Sequence, residues 1–249
     1  MKYHVQFDIE LRKNPYKGIY IAFEGIDGAG KTTQAEILKK YLEKKGLPAG
    51  RQGRDVIFTK EPTQNPPIGT LIHDFIKGKA KFPPVSLQYL FAADREIHQK
   101  DLIEPNLKKG KIVISDRCFW SSVAYGAEDK VRARLQGEAA NKRGADKNEN
   151  KEILLVSESI LSMYHQFIVP DATFYISVSS DVAISRISKM KKQQEYYETA
   201  EKLKNIQAGY DWLSKKFPDE IVVIDGEGPQ EEVTADIVGR LDLMMDARS

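Results

Sequence analysis

The 249-residue sequence is poor in cysteine, in long apolar runs and in net charge, and each shortage excludes a class of protein. Cys118 is its only cysteine, so an internal disulfide and a cysteine-based metal cluster are excluded, and we expect a reducing, cytoplasmic location. No apolar run approaches the roughly 20 residues of a membrane helix, and the polar N-terminus does not resemble a signal peptide. The formal net charge of +2 gives no reason to expect a nucleic-acid or membrane partner.

Short apolar runs alternate with segments of helical spacing along most of the chain. Strands are predicted at 19–23, 56–58, 112–114, 172–178 and 221–224, and helices at 32–45, 68–77 and 85–107. This alternation predicts an α/β fold of three layers, in which helices cover both faces of a five-stranded parallel sheet. We expect residues 1–249 to form a single domain.

Three segments fall outside this alternation. Residues 1–17 form an N-terminal extension that either adds an edge strand or packs outside the core. Residues 47–54 contain one proline and two glycines, which is typical of a surface loop. Residues 127–151 are rich in charge and contain only two large aliphatic residues, so we expect an exposed and mobile insertion.

A phosphate-binding motif follows the first predicted strand and opens the first predicted helix. The segment matches G-x-x-x-x-G-K-[ST] in full, and a strand before it with a helix after it is the context that supports the motif. Its backbone N–H groups and the helix N-terminus favour phosphate, Lys31 reaches the β- and γ-phosphates, and the Thr32 hydroxyl ligates Mg²⁺. The predicted ATP-binding residues here are Gly25, Ile26, Asp27, Gly28, Ala29, Gly30, Lys31, Thr32 and Thr33. Thr33 occupies the position of the third glycine of a dinucleotide-binding loop, which disfavours that alternative.

The third predicted strand ends in an aspartate followed by an arginine, Asp116 and Arg117. In a P-loop site, an aspartate at this point holds Mg²⁺ directly or through water, so we predict Thr32 and Asp116 as the metal ligands. An ATPase often needs a nearby carboxylate to prepare water, whereas an arginine suits a second phosphate group. Without the P-loop, the same pair would equally suit a structural salt bridge.

Four ordered motifs together resemble the thymidylate kinase family of P-loop nucleoside monophosphate kinases. They read FEGIDGAGKTTQ at 23–34, TKEP at 59–62, LFAADR at 90–95 and DRCFWSSVAY at 116–125. The resemblance covers most of 18–126 and, more weakly, 168–245. It implies a P-loop NTPase fold with a basic lid, and transfer of the ATP γ-phosphoryl group to dTMP with Mg²⁺ as cofactor. It also implies a homodimer that pairs through helices including 85–108.

The resemblance also implies a role for each matching residue. Phe91 stacks on the thymine ring, and Arg95, one helical turn later on the same face, hydrogen-bonds the base edge. Arg117 holds the acceptor 5′-phosphate, and Asp27 lies near the sugar 3′-hydroxyl or the transferring phosphate. Tyr125 packs near the deoxyribose and helps to exclude a 2′-hydroxyl. The remaining acceptor-site residues implied are Glu61, Pro62, His73, Ser121 and Ser122. Taken alone, a phenylalanine on a helix face such as Phe91 is more often a core residue.

The predicted lid, at about 181–197, departs from the family pattern. Relatives that lack an arginine inside the P-loop supply one from the lid, and this P-loop has none. The segment offers one arginine and three lysines, which donate as point charges without the arginine fork, and each lysine equally suits a solvated helix. We expect Arg186 and Lys189 to be catalytic together with Lys31, Arg117 and Asp27, and Arg186 and Lys192 to bind ATP.

Two further departures concern the acceptor site. His73 stands where the family usually places an arginine for the acceptor phosphate, and it can replace that arginine only when protonated or as a neutral donor. Cys118 stands where an aromatic residue or histidine is common.

Two other functions stay open at this point. A kinase of the same fold could act on another nucleotide or on an unphosphorylated deoxynucleoside, for which Glu61 is the candidate base. A P-loop ATPase or nucleotide switch is the other, although neither has a use for the base-reading pair Phe91 and Arg95.

Overall fold

The computed structural model describes residues 8–45, 55–126, 159–190 and 197–246. The predicted loop 47–54, the insertion 127–151, and Lys191 and Lys192 of the predicted lid therefore lie outside the described residues.

Five strands of the described chain form one parallel sheet. They are β1 (Ile19–Glu24), β2 (Val56–Lys60), β3 (Ile112–Asp116), β4 (Ala172–Ser177) and β5 (Ile221–Asp225). The order is β2-β3-β1-β4-β5, and every neighbouring pair runs parallel. Every residue of β1 and β3 is buried, as expected for central strands that are covered on both faces. The five-stranded parallel sheet is thus confirmed.

The strand order determines where a ligand can bind. The chain leaves β1 toward one side of the sheet for β2 and β3, and then crosses to the other side for β4 and β5. The carboxyl end of β1 therefore lies at the point where the order reverses. In open α/β sheets, ligands bind in the crevice at such a point.

Eight α-helical segments of five or more described residues surround the sheet. They are α1 (Lys31–Lys45), α2 (Ile68–Ile76), α3 (Pro84–His98), α4 (Glu104–Lys108), α5 (120–126), α6 (Ser180–Met190), α7 (Ala200–Lys216) and α8 (Gln230–Asp246). A π-helical turn, Gln99–Ile103, joins α3 to α4, so the helix predicted at 85–107 exists with one widened turn. Pro105 at the start of α4 has no backbone N–H to donate to the preceding turn, which accounts for a widening here. None of the described helices combines the length and apolarity that a membrane crossing requires.

The described part of the N-terminal extension packs on the outside of the fold. Residues 8–17 contain no strand, and their one bridge to the rest of the chain pairs Arg12 with Ile168. Ile9, Leu11 and Tyr16 lie partly buried against the hydrophobic core. Of the two alternatives for this segment, residues 8–17 therefore adopt the second.

Candidate active site

The phosphate loop joins the carboxyl end of β1 to the N-terminus of α1. Three of its glycines have positive φ angles of 140°, 83° and 95°, a conformation that other residues rarely adopt. A Cβ atom at Gly28 would also lie 2.5 Å from the carbonyl oxygen of Ala183, so this position requires glycine. The Lys31 ammonium donates to the carbonyl oxygen of Ile26 at 2.7 Å. Burial and the nearby charge of Arg117 lower the pKa of Lys31 to about 8.

Asp116, at the end of β3, lies beside the first turn of α1. Its Oδ2 accepts a short hydrogen bond from the Thr32 hydroxyl, and its Oδ1 is buried without a hydrogen-bond partner among the described residues. Burial acts to raise the pKa of Asp116, but the charges of Lys31 and Lys60 outweigh it and hold the pKa below its usual value. An ionised carboxylate with a free oxygen next to a hydroxyl suits Mg²⁺, which takes one or two protein oxygens and completes its shell with phosphate and water.

Lys60, the last residue of β2, is a site residue that the motifs did not identify. Its ammonium lies 3.1 Å from Asp116 Oδ2 and donates to Thr32 Oγ1 at 3.4 Å. Its side chain remains 57% exposed, so it has room to move toward a bound phosphate.

Arg117 is held in place through both terminal nitrogens of its guanidinium group, Nη1 and Nη2. Nη1 donates to Gly25 O at 3.2 Å, Ser121 Oγ at 3.1 Å and Tyr210 OH at 3.2 Å, while Nη2 donates to Asp27 Oδ1 at 2.5 Å and Tyr125 OH at 2.7 Å. The backbone of Arg117 has a φ of 79°, which is unusual for a residue with a side chain. A buried arginine in such an over-determined position is suited to binding one anion in a fixed orientation.

Two cavities meet at Arg117. The first, of about 420 Å³, is the candidate ATP cavity and is lined by the phosphate loop, Asp116 and residues that follow β4 and β5. The second, of about 370 Å³, is the candidate acceptor cavity and is lined by residues of α2, α3 and α5. Asp27, Lys60 and Arg117 line both cavities, so a group could pass from one to the other beside these three residues.

The far end of the acceptor cavity contains the pair predicted to read a base. The guanidinium of Arg95 lies 5.2 Å from the centre of the Phe91 ring, and both residues are buried but line the cavity. Arg95 donates from Nε to Glu61 Oε2 at 2.6 Å and from Nη1 to Ser122 Oγ at 2.6 Å. Phe91 and Arg95 therefore lie side by side on α3 as predicted, and Phe91 both packs in the hydrophobic core and lines the cavity.

Glu61 is fully engaged by its neighbours. Besides Arg95, it accepts from Nδ1 of His98 at 2.8 Å, a residue that the motifs missed. Burial acts to raise the pKa of Glu61, but the charge of Arg95 and the contact with His98 outweigh it and lower the pKa. A carboxylate stabilised in this way is a poor general base, which disfavours an unphosphorylated acceptor.

The remaining acceptor-site residues fall into two groups. Pro62 and His73 line the cavity wall, and His73 Nε2 is buried without a hydrogen-bond partner among the described residues. Ser121 and Ser122 also line the cavity, but their hydroxyls already contact arginine side chains. Besides Lys60, the structure adds four lining residues that no motif identified: Gln64, Ile76, Lys77 and Tyr197.

The predicted lid residues separate into three cases. Arg186, on α6, lines the ATP cavity and donates to Gly226 O at 2.9 Å and to Ala29 O at 3.4 Å. Lys189, on the next turn of α6, is exposed and lines neither cavity. Lys192 lies outside the described residues.

Comparison with known proteins agrees with this geometry. The family model described as thymidylate kinase matches residues 23–158 and 152–237. A probable thymidylate kinase of Thermococcus gammatolerans is 33% identical over 230 residues, which cover 89% of this chain and 95% of that protein. The thymidylate kinase of Thermoanaerobacter sp. X514 is 34% identical over 223 residues (89% and 96%), and that of Leptospira borgpetersenii is 32% identical over 220 residues (87% and 90%). The chain belongs to the thymidylate kinase family.

Proposed function

We propose that this protein transfers the γ-phosphoryl group of ATP to the 5′-phosphate of dTMP, giving dTDP and ADP. The observation that carries the proposal is the pair of cavities that share Asp27, Lys60 and Arg117. One cavity contains a complete phosphate loop and the other contains an arginine–aromatic pair at its far end. A nucleotide switch or a simple ATPase has no use for the second cavity.

On the ATP side, the chain supplies cations and backbone donors to the phosphates. The phosphate-loop N–H groups and the ammonium of Lys31 bind the phosphate chain, and Arg186 adds a positive charge to the lining of the same cavity. Thr32 and Asp116 would hold Mg²⁺, and Asp116 Oδ1 offers the free ligand atom. When bound, Mg²⁺ neutralises charge on the phosphate oxygens.

On the acceptor side, positioning is the main requirement. The 5′-phosphate of dTMP has a second pKa near 6 and is mostly a dianion at neutral pH, so it needs no base to attack. Arg117 Nη2, which contacts the Asp27 carboxylate in the described structure, is the natural donor to this phosphate. Holding both anions in line beside Arg117, Lys31 and Lys60 offsets their repulsion and lowers the barrier.

At the base end of the acceptor cavity, Phe91 offers a face for the thymine ring and Arg95 a donor to its edge. Glu61 and Ser122 hold the Arg95 side chain in one orientation, which makes the donor specific. We assign Tyr125 and Asp27 to the sugar, and Pro62, His73, Ser121 and Ser122 to the wall around the phosphate and base.

Several residues are candidates for the cation that stabilises the transferring phosphoryl group. Arg186 and Lys189 remain the candidates from the lid, with Lys192 next, and Lys60 joins them because it lines both cavities. Lys60 contacts both predicted metal ligands, at 3.1 Å from Asp116 Oδ2 and 3.4 Å from Thr32 Oγ1.

We also propose that the enzyme is a cytoplasmic homodimer. Support for the dimer comes from α3, which exposes two large apolar side chains, Tyr89 (66% exposed) and Ile97 (44%), eight residues apart on one side of the helix. Sedimentation of the wild-type protein and of an Ile97→Glu variant would test this pairing: a dimer that becomes monomeric supports it, and a wild-type monomer contradicts it.

Product analysis tests the proposed reaction. Phosphorus NMR of an incubation with Mg-ATP and dTMP should show dTDP and ADP formed in equal amounts. ADP formed together with inorganic phosphate, or dTMP formed from thymidine in a parallel incubation, would contradict the assignment.

A further inference from the structure

Glu24, the last residue of β1, is a buried carboxylate that makes no contact assigned to the proposed reaction. It is only 1% exposed and lines neither cavity. An ionised carboxylate in such a place is costly unless its oxygens are satisfied. Its contacts therefore indicate what the residue is for.

Both oxygens of Glu24 accept hydrogen bonds from the segment that follows Arg117, and one of them also accepts from α7. Oε1 accepts from the backbone N–H groups of Cys118 at 2.9 Å and Ser121 at 3.1 Å, and from the Cys118 thiol at 3.3 Å. Oε2 accepts from the hydroxyls of Ser121 at 2.6 Å and Tyr210 at 2.7 Å. One carboxylate thus joins the end of β1, the start of α5 and the middle of α7.

The direction of the two hydroxyl protons follows from this arrangement. The hydroxyls also lie 2.9 Å from each other, but each is closer to the Glu24 carboxylate, and a charged acceptor forms the stronger hydrogen bond. Since each hydroxyl has one proton, both present lone pairs on the side away from Glu24. Arg117 Nη1 donates to these same two oxygens, at 3.1 and 3.2 Å.

The other oxygen of Glu24 supports the backbone around Arg117. The φ of 79° at Arg117 is unfavourable for a residue with a side chain and persists only where the surroundings hold it. The N–H of Arg117 donates to Phe23 O, and the next N–H, that of Cys118, donates to Glu24. The last two residues of β1, Phe23 and Glu24, therefore accept hydrogen bonds from the two backbone N–H groups that flank the Arg117 Cα atom.

We propose that Glu24 is a positioning residue for Arg117. Its charge orients the hydroxyls of Ser121 and Tyr210 as acceptors, and these hydroxyls hold Nη1. Nη2 is thereby held beside Asp27 and Tyr125, where the acceptor phosphate would take over the hydrogen bond now made to Asp27. This inference rests on the proposed function, in which Arg117 binds that phosphate.

A Glu24→Gln variant reverses the hydrogen-bond direction with almost no change in shape. The amide oxygen keeps the two backbone donors, so the amide NH₂ faces the hydroxyls of Ser121 and Tyr210. Both hydroxyls must then accept from the amide. Since at most one of them can place its proton on the other, at least one proton turns toward Arg117 Nη1, which is itself a donor. The result is a displaced guanidinium in an otherwise similar site.

The test compares wild type, Glu24→Gln and, as a matched control, Glu36→Gln on the exposed face of α1. We expect Glu24→Gln to lower kcat/KM for dTMP by about 100-fold, as misplaced catalytic groups commonly do. ADP affinity measured by calorimetry should be unchanged, and Glu36→Gln should match wild type. In an Arg117→Met background, Glu24→Gln should weaken dTMP binding no further, because its effect passes through Arg117.

Two results would overturn the inference: a Glu24→Gln variant of reduced thermal stability with wild-type kcat/KM for dTMP, or effects of Glu24→Gln and Arg117→Met that simply multiply. If Glu24→Gln does not fold, Tyr210→Phe tests the same relay, which is the chain of hydrogen bonds from Glu24 through Tyr210 to Arg117. It should lower kcat/KM for dTMP by about ten-fold without changing ADP affinity, and an unchanged value contradicts the relay. A wild-type protein that does not turn over dTMP at all would contradict the proposed function instead.

Discussion

The strongest quantitative prediction concerns Arg117, which donates to five acceptors through two nitrogens. Arg117→Lys keeps the charge, but a single ammonium cannot reach Ser121 and Tyr210 on one side and Asp27 on the other. A hydrogen bond to a charged group is worth roughly 1.5–3 kcal/mol net. Losing the one that Nη2 would make to the acceptor phosphate therefore costs about 100-fold in kcat/KM for dTMP. Arg117→Ala also removes the charge, and we expect a loss of about 10³- to 10⁵-fold.

A coupled assay of ADP release, with dTMP and ATP varied separately, measures both effects. The loss should fall on dTMP, while the KM for ATP changes little, because Arg117 contacts the phosphate loop only at two acceptors, the Gly25 carbonyl and the Asp27 carboxylate, and leaves the loop N–H groups to bind phosphate. Thermal unfolding of each variant checks that the fold is intact. Turnover of Arg117→Ala within about ten-fold of wild type would refute the reasoning, since one ordinary hydrogen bond could account for so small an effect.

Three further predictions concern other sites. Lys60→Gln should lower kcat by about 100-fold while dTMP binding persists, and Lys79→Gln, which removes an exposed lysine outside both cavities, should not; equal kinetics for the two variants would remove Lys60 from the mechanism. Phe91→Leu should raise the KM for dTMP about ten-fold and leave that for ATP unchanged, whereas equal changes in both would argue for a core role. Burial acts to raise the pKa of Glu104, but Lys100, Tyr16 and Arg12 lower it from 4.5 to about 2, so its stabilisation is present above pH 4.5 and lost toward pH 2. Denaturant unfolding should therefore show Glu104→Gln less stable than wild type by about 1–2 kcal/mol at pH 7, because solvent screens the pairs with the partly exposed Lys100 and Arg12, and nearly equal to wild type near pH 2; a pH-independent difference would contradict this.

The fold was predictable because its central strands have the simplest signal. Strands covered on both faces appear as uninterrupted apolar runs, and all five predicted strands are present in the described structure. The π-helical turn at Gln99–Ile103 was not predicted, because hydrophobic spacing does not reveal a single widened turn. The N-terminal extension was equally ambiguous, because its sequence pattern suits both an edge strand and a segment packed outside the core.

The candidate site was predictable where its residues belong to one continuous motif. Residues 27–33 of the phosphate loop, Phe91 and Arg95, and Asp116 and Arg117 all line one or both of the two cavities. The missed residues act through contacts that only the fold creates. Tyr210, for example, lies 93 positions from Arg117 in sequence but contacts its guanidinium.

Lys60 and Glu24 lie inside the recognised motifs, but their roles could not be predicted from the sequence either. Each stands next to a residue that the motif identifies, yet a lysine or glutamate at a strand end has no distinctive spacing of its own. Their roles become visible only when β1, β2 and β3 are aligned, because the parallel register brings Lys60 opposite Asp116.

ATP turnover by this protein should require a thymidine monophosphate acceptor. The most direct measurement is ADP release from Mg-ATP with dTMP, dUMP, dCMP, dAMP, dGMP, UMP, thymidine and no acceptor. We predict strong release with dTMP, weaker release with dUMP, and little with the other acceptors or with none. Equal release without an acceptor would identify an ATPase, and the assignment of Phe91 and Arg95 as the base-reading pair would then be wrong.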